Sequence, residues 1–80
     1  MRHAREDYNR IQDPAGLIPE DEPVFLIRGQ DAVAPEAVEA WANLAETAGA
    51  DQNIVEAARA QAKEMQHWGY KHGDKIPDLP

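Results

Sequence analysis

The chain has 80 residues, with 15 Asp and Glu against 8 Lys and Arg and a formal net charge of −7 at pH 7. That length allows one small domain, which buries only about 60–65% of its unfolded surface, and the absence of cysteine excludes a disulfide or thiolate metal staple. No apolar run approaches the roughly 20 residues of a membrane-spanning helix, and residues 1–10 contain no apolar core of a secretory leader.

The charge is unevenly placed. Residues 13–56 hold ten carboxylates and one base, Arg28, while the segments on either side are each +1. A field of that shape attracts basic surfaces and repels a phosphate backbone.

Residues 1–12 are polar and mixed in charge, and are expected to be loosely ordered. Asp13-Pro14-Ala15-Gly16 is a turn signal: Asp bonds the backbone ahead, Pro fixes φ and Gly tolerates positive φ. Pro19-Glu20-Asp21-Glu22-Pro23 is acidic and rigid. Residues 24–27, Val-Phe-Leu-Ile, are the most hydrophobic stretch. Their β-branched and aromatic content suits a strand, for which residues 8–12 are a weak pairing candidate. Pro23 as a first helical residue and Gly29 as a stop suit a short helix at about 23–28. The balance tilts slightly to helix.

Residues 35–48 predict an amphipathic helix, with Pro35 in its first turn and Gly49 at the left-handed C-terminal position. Val38, Trp41, Leu44, Ala45 and Ala48 share one arc, with Glu36, Glu39 and Glu46 opposite. Asp51 caps a second helix over about 52–69, whose apolar face is Ile54, Val55, Ala58, Ala62, Met65 and Trp68. The short link predicts an antiparallel hairpin, with Trp41 and Trp68 supplying most of the buried area and residues 24–27 lying across its open side. Residues 71–80 form a loosely held tail, tied by Ile76 and Leu79. The fold class is thus mainly α: a helical hairpin after an irregular, Pro-rich N-terminal half, all in one domain.

Few chemistries fit. The chain has no serine or cysteine and a single threonine, Thr47, so a serine or cysteine triad is excluded. His67 and His72 are five apart, one more than shared ligation on a helix face requires, and Glu20-Asp21-Glu22 lacks the alternating ligands of a calcium loop. The glycines are scattered singly, so there is no phosphate loop. Arg59, Lys63, Lys71 and Lys75 make too small a basic stripe for nucleic acid. We therefore expect no enzyme activity, no metal or cofactor, no membrane association and no direct nucleic-acid binding.

The acidic block has two readings, a solvated face or a docking surface for a basic groove. Glu36 to Glu46 spans roughly 15 Å of helix and shows three carboxylates where B-DNA would show about nine. Only the whole block, with Glu20, Asp21, Glu22 and Asp31 beside the helix, could imitate a phosphate track. A second kind of interaction surface is apolar, around Phe25, Trp41 or Trp68, including a homodimer over the hairpin's open side.

The run Asp7-Tyr8-Asn9-Arg10-Ile11-Gln12-Asp13-Pro14, the string from Ile18 to Asp31 and the helical segments Ala34-Pro35-Glu36-Ala37-Val38, Leu44-Ala45-Glu46 and Gly49-Ala50-Asp51 resemble a group of small proteins encoded in phages, prophages and alphaproteobacterial genomes. Most members have no assigned activity; some small acidic phage proteins of this kind are anti-CRISPRs, and the chain is similar to a type I-C anti-CRISPR. The resemblance implies a non-enzymatic inhibitor in the cytoplasm of a bacterial host, bound to the basic nucleic-acid surface of a type I CRISPR surveillance complex (Cascade) and blocking target DNA. No site motif comes with it. Charge position alone nominates Glu20, Asp21, Glu22, Asp31, Glu36, Glu39 and Glu46 as partner-binding residues. The alternative is a protein-interaction module, homodimeric through exposed apolar surface.

Overall fold

The computed structural model describes residues 1–8 and 13–79. It is mainly α, with a helical hairpin and one two-stranded parallel sheet. The described chain forms two compact units, Met1–Ile27 with Asp78–Pro80, and Arg28–Pro77.

In the first unit, β1 (Arg2–His3) pairs in parallel with β2 (Pro23–Val24), Arg2 opposite Pro23 and His3 opposite Val24. Residues 24–27 are therefore not helical: Val24 ends a strand and the next three residues are irregular. This corrects the slight preference for helix. Pro23 opens the strand, a position that tolerates a missing N–H, and the β-branched content prevails. The strand's partner is the polar pair Arg2–His3, which has no hydrophobic alternation to announce it. Residues 9–12 of the anticipated partner segment lie outside the described residues. Asp13 and Gly16 close the anticipated turn, the Gly16 N–H donating to the Asp13 carbonyl at 3.0 Å with φ +64° at Gly16. The Asp13 carboxylate accepts from the Ile18 N–H at 2.8 Å. A 3₁₀ turn, Glu6–Tyr8, carries a compact cluster: Arg5 forks onto Asp7 at 2.7 and 3.0 Å and lies 4.6 Å from the Tyr8 ring centre.

The second unit is the hairpin. Helix α1 (Ala34–Thr47) has Pro35 in its first turn. It ends in a Schellman motif: Ala50 N–H donates to Ala45 O and Gly49 N–H to Glu46 O, both at 3.0 Å, with φ +87° at Gly49. Helix α2 (Gln52–His72) is capped by Asp51, whose carboxylate accepts from Asn53 N–H at 2.7 Å. It passes through the anticipated stop at Gly69 and ends at Gly73, φ +83°. A single helical glycine costs only about 1 kcal/mol, and the basic Lys71 and His72 suit the helix C-terminus.

The seam differs from the anticipated one. Ala34, Ala42, Val55, Ala62 and Gly69 are buried, with Val38, Ala45, Ala58 and Met65 half-buried between them. Trp41 and Trp68, expected to supply most of the core, are 51% and 44% exposed. Alanine and glycine let two helices approach closely, and the α1 contact face is turned from the anticipated arc by roughly 55° at 100° per residue. Beyond Gly73 the tail is fastened by backbone rather than by Ile76 and Leu79, which are both exposed. Lys75 N–H donates to Gln30 O at 2.8 Å and Ala32 N–H to Lys75 O at 2.7 Å. Among the described residues no helix is long and apolar enough to cross a membrane.

Candidate functional site

The acidic residues fall into three structural settings. The first is a tight turn. Glu22 N–H donates to Pro19 O at 3.1 Å, which puts Glu20 and Asp21 at the corners. Three carbonyls of this segment are occupied: Pro19 and Glu20 accept from the Met1 amino group at 2.8 and 3.1 Å, and Glu22 accepts from Arg2 N–H at 2.8 Å. Backbone bonding thus holds the segment in place and leaves three consecutive carboxylates exposed. Among the described residues none of the three forms a salt bridge. The first unit carries a formal −4 in 30 residues and the hairpin unit −3 in 50, so the turn sits in the denser field.

The second setting is a cleft of about 310 Å³ in the hairpin unit, where Asp31 and Glu36 come together with Asp74, Gln66, Tyr70 and Met65. Asp31 has a structural duty as well. Its carboxylate faces the Arg28 N–H at 3.4 Å and its carbonyl accepts from Ala34 N–H at 3.0 Å, shaping the entry to α1. Glu36 is exposed in the first turn of α1, where a negative charge suits the helix dipole.

The third setting surrounds Arg59. This guanidinium reaches from α2 to Glu46 at 3.2 and 3.3 Å, to the Asn43 amide oxygen at 3.0 Å and to Glu39 at 3.5 Å. Hydrogen bonding by Arg59, then its charge, holds the Glu46 carboxyl below the usual range. Glu39 and Glu46 therefore already share a cation inside the chain. The sequence groups Arg59 with Lys63, Lys71 and Lys75 and gives no sign that it meets these carboxylates. The missing signal was register: Glu39, Asn43 and Glu46 each follow a seam residue of α1, as Arg59 follows Ala58 on α2.

The seven nominated residues are thus distributed as a turn triplet, a cleft pair and an Arg59-bound pair. The triplet belongs to one compact unit and the other four to the second. No group of three or more His, Asp or Glu suited to holding a metal ion occurs among the described residues.

Comparison with protein-family models, with curated proteins and with solved structures yields no match to this chain.

Proposed function

We propose that the protein is a non-enzymatic acidic inhibitor that docks on a basic nucleic-acid-binding surface, and that its target is a type I-C CRISPR surveillance complex in the cytoplasm of a bacterial host. The observation that carries the docking reading is the turn at residues 19–22. It presents Glu20, Asp21 and Glu22 in succession, exposed, on a backbone held by hydrogen bonds at Pro19, Glu20 and Glu22. The identity of the target rests on the resemblance of the segment from Ile18 to Asp31, which includes this turn.

The chemistry follows from the charges. A surveillance complex holds nucleic acid in positively charged channels. Carboxylates fixed by a turn compete for the same Lys and Arg side chains, and ordering them costs little on binding because the turn is already formed. The cleft with Asp31, Glu36 and Asp74 supplies a second place for a cationic side chain. Glu39 and Glu46 contribute less, because a partner cation must displace or share Arg59. The proposal needs no bond-making step, in keeping with a chain that has no serine or cysteine nucleophile.

The test is target-DNA binding by the purified complex, titrated with this protein. Loss of DNA binding at near-stoichiometric inhibitor, relieved by added salt, is the expected result. DNA binding unaffected at a tenfold excess would refute the proposed target.

A further inference from the structure

The hairpin has two unlike sides, and the Arg59 contacts show which residues occupy each. On α1 the residues one step after the seam are Glu39, Asn43 and Glu46; on α2 one of them is Arg59. These side chains bond to one another, so the step-after positions of both helices share a side. In an antiparallel pair the step-before positions must then share the opposite side. They are Ala37, Trp41 and Leu44 on α1, continued by Ala48 at its C-cap, and Ile54, Ala57, Gln61, Glu64 and Trp68 on α2. Trp41, Leu44, Ile54 and Trp68 are 51, 71, 49 and 44% exposed.

The spacing on α1 is 4-3-4, and on α2 Ile54, Gln61 and Trp68 are seven apart. Each helix thus carries a second heptad row beside the one used inside the hairpin, as helices do when packed between two helical neighbours. We propose that this face joins a second copy of the chain in a two-fold, four-helix dimer.

Area, shape and charge argue for the second copy. At roughly 150–250 Å² per large side chain, the four exposures leave on the order of 400 Å² of largely apolar surface per copy, extended by the alanines. Doubled by symmetry, the face reaches about 1,000 Å², the lower bound of a specific interface and suited to a weak, reversible dimer. Arg59 lies level with Asn43, so Trp41 is level with Gln61 and Trp68 lies toward the opposite end of the face from Ala48 and Ile54. A two-fold axis through the Trp41 level sets Trp68 of one copy against Ile54 and the small Ala48 of the other, a self-complementary apolar contact. The α1 row carries no charge and the α2 row only Glu64. Most of the −7 therefore lies off the interface and opposes association only at long range, so added salt should tighten the dimer. This proposal is independent of the inhibitor reading, whose salt dependence has the opposite sign.

Sedimentation equilibrium of the intact protein from about 1 μM to 1 mM tests it, the monomer mass being 8.9 kDa. We expect a shift toward twice the monomer mass with rising concentration. Trp41→Ala should raise the dissociation constant on the order of 30-fold, and Glu64→Ala should lower it. The chain has no cysteine, so Gln61→Cys introduces one thiol at the predicted axis, which should oxidise to a covalent dimer faster than Glu56→Cys on the far side. Helical circular dichroism of each variant checks folding. A monomer throughout the range, or a dimer indifferent to Trp41→Ala and with no preference for the Gln61 thiol, overturns the proposal.

Discussion

Arg59 on α2 forks onto Glu46 of α1 with 3.2 and 3.3 Å contacts, and its remaining reach takes in Asn43 and Glu39. One cation therefore bridges the two helices on one side of the seam. The bond to Arg59 lowers the Glu46 carboxyl from its ordinary value of 4.5. A carboxylate whose folded value is depressed contributes stability above its unfolded value and loses it as pH falls through the folded value. Arg59→Gln should thus lower the melting temperature modestly at pH 7, by a margin that stays constant down to about pH 5 and shrinks below about pH 4.5. Thermal melts of both proteins between pH 3 and pH 7 check this; a margin that grows on acidification would be inconsistent with the pair.

Two glycines near the end of α2 should respond to alanine with opposite sign. Gly69 lies inside the helix, and an added Cβ would meet the Asp74 Cβ at 3.5 Å, an ordinary contact. Gly69→Ala should stabilise by about 0.5–1 kcal/mol through helix propensity. Gly73 stands at φ +83° with open space around it, so Gly73→Ala should destabilise by about 1–2 kcal/mol from backbone conformation alone. Urea denaturation of the two variants gives both numbers.

The seam owes its closeness to alanine. Ala42 has no exposed surface and Ala62 only 4%. Ala42→Leu should cost about 1–3 kcal/mol by overpacking, whereas the exposed Ala40→Leu should fall within about 0.5 kcal/mol of the parent. Equal effects at the two positions would mean that the helices meet on another face.

The hairpin was legible because its punctuation is local. Pro35, Gly49 and Asp51 act within their own turns, and the structure uses each as its chemistry suggests. The helix faces are less legible because hydrophobic size is a poor guide to burial where alanine forms the seam. Trp41 and Leu44 pulled the expected seam toward themselves, while close backbone approach selected Ala34, Ala42 and Ala62. Strand pairing between Arg2–His3 and Pro23–Val24 joins segments some twenty residues apart with no alternation to reveal it. Ile76 and Leu79 suggested an apolar anchor for the tail, but the fastening at Lys75 is made by main-chain groups that every sequence possesses. In the candidate site, the run Glu20-Asp21-Glu22 could be read as an acidic cluster directly. That Arg59 offsets Glu39 and Glu46 required knowing which residues lie level across the hairpin.

In the proposed function, fixed carboxylates compete for the cations of a nucleic-acid channel. Its most direct measurement is the affinity of this protein for the purified type I-C complex at 50 and 300 mM salt, beside the variant Glu20→Lys, Asp21→Lys, Glu22→Lys. Binding should weaken at least tenfold with salt and be lost in the triple variant while its helical signal is unchanged. Equal affinity for the two proteins, or binding indifferent to salt, would contradict it.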